Sequence, residues 1–479
     1  MGAVHRPARR RGPALGLIAL AQFMVIMDTS IIGVALPRMQ ADLGFSQENL
    51  SWVFNAYVVA FGGLLLLGGR LSDLFGARRI FGAGWATLLV GSLAAGLATS
   101  PGVELAARAV QGAGSALIAP SALTLLFMLF GSDPKELTKA LALYGAAAPA
   151  GGTAGVFLGG VLTQYASWPW VFFVNVPVAL LALLGSRALM PAGGGRGGSV
   201  DVVGAATVTA GLALAVYGIV RAPEVGWFSG STLGVLTLAL LLLVTFVVVQ
   251  ANRREPLMRL SIFRRPDLAG ANLAQLLLGA AWIPMWFFLN LYLQQVLGYS
   301  EFPAGAALLP MTGLIMLGMI VLAPKAMARF DVRTMVVSGL VLLAVAMGWL
   351  SFVRPDGSFW VDVLPAGLLA ALGMSLAFIP SLGTAISAAP PEDGGLASGI
   401  VNVSYQVGSA LGLAVVTAIA TANGAGRIGD PTALAGGFSA AFVSAAVVAL
   451  LGAVLAVVTI RGRRAAAATD PDQAEKVAA

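Results

Sequence analysis

Asp28 is a carboxylate set inside an apolar run that extends from Ala14 to Pro37, otherwise broken only by Gln22, glycines and a few hydroxyls. About 24 such residues, at 1.5 Å rise each, span a bilayer core. Asp28 lies past the midpoint, where a carboxylate costs about 2.5–3.5 kcal/mol on insertion scales and is functional by default. The chemistry open to it is to bind and release a proton while a second solute moves the other way. The plainer alternative is a structural carboxylate hydrogen-bonded to a neighbouring helix.

A second charge lies in a later apolar run, which begins Glu104-Leu105-Ala106-Ala107-Arg108-Ala109-Val110-Gln111-Gly112. Arg108 is one turn from Glu104, so the two share a helix face. By rise per residue Arg108 sits roughly 6 Å below the outer surface and Asp28 roughly 13 Å below Pro37, a gap that a guanidinium stem can cover. A buried arginine needs a carboxylate. Asp28 is the deep acid available; Glu104 competes if Arg108 reaches outward instead. Other chemistries are closed. There is no cysteine, and the single histidine, His5, is in the N-terminal tail. No Gly-x4-Gly-Lys-Ser/Thr loop is present, so the chain has no such nucleotide site of its own.

The elements that must hold these residues are membrane helices. The 479 residues are 58% hydrophobic and 10% charged, against about 25% charge in a soluble domain. Apolar runs fall at about 14–37, 51–71, 79–98, 104–129, 139–164, 169–190, 202–221, 232–251, 268–296, 304–328, 334–353, 361–388, 396–421 and 437–460, about fourteen helices. With the N-terminus inside, 23 of the 28 Lys and Arg fall on cytoplasmic segments and only Arg38, Arg221, Arg354 and Arg427 outside, Arg108 being within a span. That bias sets both termini in the cytoplasm and an even helix count. The basic start lacks an Ala-x-Ala cleavage site and reads as a retained first helix. The net charge of +7 follows from this loop bias and does not indicate nucleic acid.

The expected organisation is a basic tail over 1–13, six helices over 14–190 and a Gly-rich linker over 191–201. Two further helices at 202–251, read as peripheral, and a basic loop at 252–267 lead to six more helices at 268–460 and a tail at 461–479. Pro324 to Arg333 echoes Gly69 to Arg78, with Ala328 at the place of Asp73. Repeated six-helix halves mark secondary transporters.

Further motifs follow. Gly69-Arg70-Leu71-Ser72-Asp73-Leu74-Phe75-Gly76-Ala77-Arg78-Arg79 is a tight turn between helices two and three, and a positive-inside bias alone does not account for its spacing. Helix five carries Pro149, which invites a kink, and Gly151, Gly155 and Gly159 at four-residue spacing, with Gly160 beside them. Such a face lets another helix pack closely or slide along it; a purely structural glycine stripe reads the same way. Candidate cavity residues are Asn55 and Tyr57 of helix two, Gln111 of helix four, Gln275, Trp282 and Trp286 of helix nine, and Asn402 and Tyr405 of helix thirteen. Asn55 and Tyr57 serve equally well as bonds to a neighbouring helix, and the tryptophans as a lipid-facing band.

Taken together these residues resemble the major facilitator superfamily, in its fourteen-helix drug:proton antiporter branch. Met27 to Pro37 is similar to that branch's helix-one motif, Gly69 to Arg79 to its gating loop, and Leu105 to Gly114 to the helix-four motif whose arginine is linked to proton coupling. Gly155 to Gly160 resembles its antiporter motif, with Val156 where proline is usual. Trp168 to Pro177 resembles the helix-six signature, with Pro169 where a basic residue is usual. The resemblance implies two six-helix bundles around a central cavity, with two extra helices set outside them. It implies proton-driven export by alternating access, with Arg108 in proton coupling and Gly69, Asp73, Gly76, Arg78 and Arg79 in gating. Asp28 is the acid that the residues themselves offer for that coupling, with Glu104 next in line. No extra acids lie in helices ten or thirteen, which points to neutral or monocationic amphipathic substrates. A dedicated exporter of one metabolite, antibiotic or lipid is the alternative within transport; a membrane sensor or enzyme is the alternative outside it. The expected partners are a small-molecule substrate, protons and the lipid bilayer. No cofactor or metal is expected, the chain is read as a monomer of the cytoplasmic membrane, and it is not read as an enzyme.

Overall fold

The structure, a computed structural model, describes residues 11–191, 201–253, 256–257, 260, 266–388 and 394–460. The first ten residues, nearly all of the Gly-rich linker, much of the basic loop at 252–267 and the tail at 461–479 lie outside the described residues.

Fourteen helices among the described residues are long and apolar enough to cross a membrane. They are α1 (Arg11–Ser30), α2 (Gln47–Phe75), α3 (Ala77–Gly96), α4 (Pro101–Phe130), α5 (Lys139–Tyr165), α6 (Trp170–Leu189) and α7 (Val202–Ala222). The remainder are α8 (Gly230–Asn252), α9 (Pro266–Val296), α10 (Glu301–Met327), α11 (Val332–Leu350), α12 (Phe359–Ala385), α13 (Gly399–Ala425) and α14 (Pro431–Thr459). No strand occurs among the described residues. In lipid a helix satisfies its own backbone, which is why apolar runs of this length take that form. Several starts are also capped by an oxygen: Asp201 before α7, Ser229 before α8, Asp331 before α11 and Asp430 before α14 each accept backbone N–H bonds.

Within the first half α2 and α3 pack on α4, and α1 packs on α5; within the second, α9 packs on α13 and α14, and α11 on α12. The halves meet where α5 touches α10 and α2 touches α13. The pair α7 and α8 is not uniformly peripheral. α7 packs against both α2 and α13, so it lies along the seam between the halves, and α8 packs on α7. Gly63 of α2 permits this: a Cβ there would come within 3.1 Å of the Thr209 backbone.

Pro37 does not close the first helix. A second helical segment, Ile32–Leu43, continues α1 with Pro37 inside it and ends at Gly44, whose φ is 75°. Ile31 between the two keeps a helical backbone, and its N–H bonds the Met27 carbonyl at 2.9 Å. Proline forfeits one helical bond. The carbonyl it frees is that of Gly33; one residue on, Gln294 Nε2 of α9 donates to the Val34 carbonyl at 3.1 Å and ties this segment to the other half.

Candidate functional site

Asp28 is 1% exposed and Arg108 0% exposed, and Arg108 Nη1 donates to Asp28 Oδ2 at 2.8 Å. Arg108 is fixed from several sides. Its Nε donates to the Val53 carbonyl at 3.0 Å, Nη1 also donates to Gln111 Oε1 at 2.8 Å, and its guanidinium lies 4.5 Å from the Tyr57 ring centroid. Tyr57 is itself held, donating to Ser115 Oγ at 2.8 Å. A desolvated pair persists only when its remaining hydrogen-bonding capacity is largely used in this way.

The second oxygen of Asp28 is held from other helices. Asn175 Nδ2 of α6 donates to Oδ1 at 2.6 Å and Gln111 Nε2 of α4 lies 3.4 Å from the same atom. Ser92 of α3 accepts from both amides, at 2.8 Å from Gln111 and 3.2 Å from Asn175. Two neighbouring helices, α4 and α6, therefore bond this one carboxylate of α1, and α3 braces both amides. Asn175 and Ser92 are absent from the sequence-derived site. The only signal for Asn175 is its place in the Trp168 to Pro177 stretch, and Ser92 gives none.

The glycine face of α5 brings α1 close. A Cβ at Gly151, Gly155 or Gly159 would come under 3.0 Å from the backbone of Phe23, Met27 or Ile31, the turns that flank Asp28. Gly160 faces the other half, with a hypothetical Cβ 2.9 Å from the Glu301 carbonyl. Pro149 lies inside the same helix.

Glu104 does not pair with Arg108. It is 0% exposed, and neither carboxyl oxygen has a hydrogen-bond partner among the described residues. In the turn between α2 and α3, Gly76 alone links the helices with φ 93°, a conformation that requires glycine. Gly69 stands against Pro120 of α4. Asp73 and Arg79 are exposed, Arg78 is half-buried, and none of the three forms an ion pair among the described residues.

The candidate cavity residues do not converge on one space. Trp286 lines a small cavity with Thr29, Ile32, Gly33, Leu36 and Phe54, beside Asp28, and stacks on the buried Trp282 at 6.1 Å. Gln275 turns to α12, donating to the Phe378 carbonyl at 3.0 Å and Ser381 Oγ at 2.9 Å. Tyr405 packs edge-on to Phe378, Asn402 is exposed, and Asn55 is fully buried. A larger cavity of about 470 Å³ lies between α2, α4 and α7, lined by Trp52, Ala56, Leu105, Ala109, Thr209 and Tyr217 among others.

At the end of the bundle that carries Pro37 and Pro101, polar bonds join the two halves. Arg38 pairs with Glu301 of α10. Gln40 donates to Gln47 at 2.9 Å, Gln47 to Gln295 of α9 at 3.3 Å, and Gln295 back to Gln40 at 2.9 Å, closing a ring of three amides. The Phe302 backbone N–H of α10 donates to Gln164 Oε1 of α5 at 3.4 Å.

The chain as a whole is similar to known proteins. The profile of the Major Facilitator Superfamily matches residues 18–413 and 325–479. The chain is 41% identical over 446 residues to the cephamycin export protein CmcT of Amycolatopsis lactamdurans, covering 92% of this chain and 91% of that one. It is 38% identical to the puromycin resistance protein pur8 of Streptomyces alboniger, covering 97% and 94% respectively. With the tetracenomycin C resistance and export protein of Streptomyces glaucescens it shares 33% identity, over 90% of this chain and 79% of that one. In overall shape it is similar to a solved structure described under substrate recognition in proton dependent oligopeptide transporters. The TM-score is 0.64 over 93% of this chain and 98% of that one; at 17% identity this likeness concerns the fold alone. With fourteen apolar helices, a profile matched along nearly the whole chain and relatives of similar length, this multi-pass membrane protein belongs to the major facilitator superfamily.

Proposed function

We propose that this chain exports a small amphipathic, antibiotic-like molecule across the cytoplasmic membrane in exchange for protons, by alternating access. The observation that carries the reading is the buried Asp28–Arg108 pair, 2.8 Å apart within membrane-spanning helices. Such a pair is retained where its charge state does something, because two well-packed apolar side chains hold helices together at no such desolvation cost. The relatives named for antibiotic export and resistance support the transported class.

The Lys and Arg distribution supports an orientation with the Arg38 end outside and both termini inside. In that orientation the Arg38–Glu301 pair and the glutamine ring close the outer side. When the outer side opens, a proton reaches Asp28, neutralises it and frees Arg108. The two halves then favour a different arrangement, and substrate and proton compete because both act through Asp28. One deep acid corresponds to about one proton per cycle, and each translocated charge supplies about 2.3 kcal/mol at 100 mV.

A second reading, a dedicated exporter of one antibiotic, is favoured by the relatives' names, each of which specifies one compound or compound class. Reconstitution in liposomes tests both. Puromycin, a cephamycin and tetracenomycin C serve as probes under an imposed pH gradient, for wild type and Asp28→Asn. Gradient-driven movement of several probes supports broad export, and movement of one alone supports the dedicated exporter. Movement by Asp28→Asn at the wild-type rate contradicts the coupling.

A further inference from the structure

Several buried polar atoms around the Asp28–Arg108 pair are left without partners. Both carboxyl oxygens of Glu104 are unpartnered among the described residues, as are Arg108 Nη2 and Asn175 Oδ1. All three side chains are 0% exposed. Asn175 and Arg108 each bond Asp28 through another of their atoms. Glu104 is one turn from Arg108 on α4, toward the Pro101 end, and is under the electrostatic influence of both Arg108 and Asp28.

Unsatisfied buried polar atoms are rare, and where they cluster ordered water is the usual occupant, each molecule taking about three hydrogen bonds. Donors and acceptors are both present here. The guanidinium donates, and the Asn175 carbonyl and the Glu104 carboxyl accept.

We propose that Glu104 is the acid through which protons reach Asp28, and that Glu104, Arg108 and Asn175 bind the ordered water that carries them. This rests on the reading of Asp28 as the coupling acid. The step balances simply. The Glu104 O–H bond breaks as its proton enters the water chain. Water at the far end protonates Asp28, whose contact with Arg108 opens. Outer bulk water then returns a proton to Glu104. The charged groups acting on Glu104 are Arg108 of its own helix and Asp28 of α1. From α2 the titratable side chain against Arg108 is Tyr57, and α3 presents the neutral Ser92. The direction of travel follows from placement, since Glu104 lies in the first turn of α4 and Asp28 lies deeper.

The test compares two reactions of the reconstituted protein with puromycin as probe: export driven by a pH gradient, and substrate exchange at equal pH, which moves no net proton. Glu104→Gln is expected to lose driven export by about tenfold or more while exchange persists, and Glu104→Asp, which keeps the acid, is expected to restore driven export. Driven export by Glu104→Gln at the wild-type rate overturns the relay. So does loss of exchange and export together in both variants, which makes Glu104 structural. If wild type exchanges puromycin but does not respond to the gradient, the coupling reading of Asp28 fails and the relay falls with it. Wild-type response to the gradient with an unaffected Glu104→Gln overturns the relay alone.

Discussion

Asn175 donates to one oxygen of Asp28 at 2.6 Å while Arg108 holds the other at 2.8 Å. The carboxylate is therefore gripped by a neutral amide from α6 and a cation from α4, and each releases it differently. Protonation removes the charge attraction to Arg108 but leaves the amide a partner, since Asn175 also carries an acceptor oxygen.

Asn175→Ala removes a bond to a charged group, worth about 1.5–3 kcal/mol. It is expected to slow gradient-driven export by about tenfold or more, with the protein still inserted and able to bind substrate. Asn175→Gln, which keeps the amide, is expected to lose less. Export rates alongside equilibrium substrate binding check this; unchanged export by Asn175→Ala counts against the grip.

The glycine face of α5 makes a packing prediction. Because a Cβ at Gly155 would come under 3.0 Å from the Met27 carbonyl and Ser30 Cβ, Gly155→Val forces α1 and α5 apart beside Asp28. Overpacking of this kind costs about 1–3 kcal/mol and is expected to lower the melting temperature in detergent. At Gly145, where a Cβ meets nothing within 4 Å, the corresponding Gly145→Ala is expected to be neutral.

The Arg38–Glu301 pair predicts a gate. Glu301, first through the hydrogen bond and then through its charge, raises the Arg38 pKa further above its ordinary value. A raised basic group contributes at every lower pH and loses its contribution only as pH rises through the raised value, so Arg38 does not titrate near neutrality. The pair is weakened instead by substitution or salt. The chain has no cysteine, so a single cysteine at the buried Leu36 reports opening by its reaction with an impermeant thiol reagent. Glu301→Gln is expected to increase labelling several-fold, and the charge swap Arg38→Glu with Glu301→Arg to restore protection.

Asp331 supplies a pH control. Its side-chain bond to Thr334, and then its bond to the Thr334 N–H, hold its carboxyl below the ordinary range. A depressed acid contributes above its unfolded value and loses that contribution only as pH falls through the depressed one. Asp331→Ala is expected to cost about 1 kcal/mol of cap stability at neutral pH, with the difference from wild type vanishing well below pH 4. Thermal melts at both pH values check it. Any pH response of transport between pH 5 and 8 therefore has another origin.

Much of this architecture is legible in the sequence because lipid leaves few choices. Apolar runs of spanning length become helices, and a charge inside one stands out against its background, so Asp28 and Arg108 are visible in the sequence alone. Asn175 and Ser92 are not, because a neutral amide or hydroxyl in a membrane helix is common and only tertiary register brings these two to Asp28. The ring of Gln40, Gln47 and Gln295 is hidden for the same reason, its members coming from two halves far apart in the chain. Pro37 misleads as a terminator because proline forfeits a single backbone bond, and a helix packed among others continues through it. The placement of α7 along the seam depends on Gly63 facing Thr209, a pairing that no local pattern encodes.

The central claim is that Asp28 carries the exchanged proton. The most direct measurement is proton release on substrate binding by purified protein in weakly buffered detergent, read with a pH-sensitive dye while puromycin is added to saturation. Wild type is expected to release about one proton per substrate bound, and Asp28→Asn to bind with no release. Binding by wild type without release, or equal release by Asp28→Asn, would contradict the account.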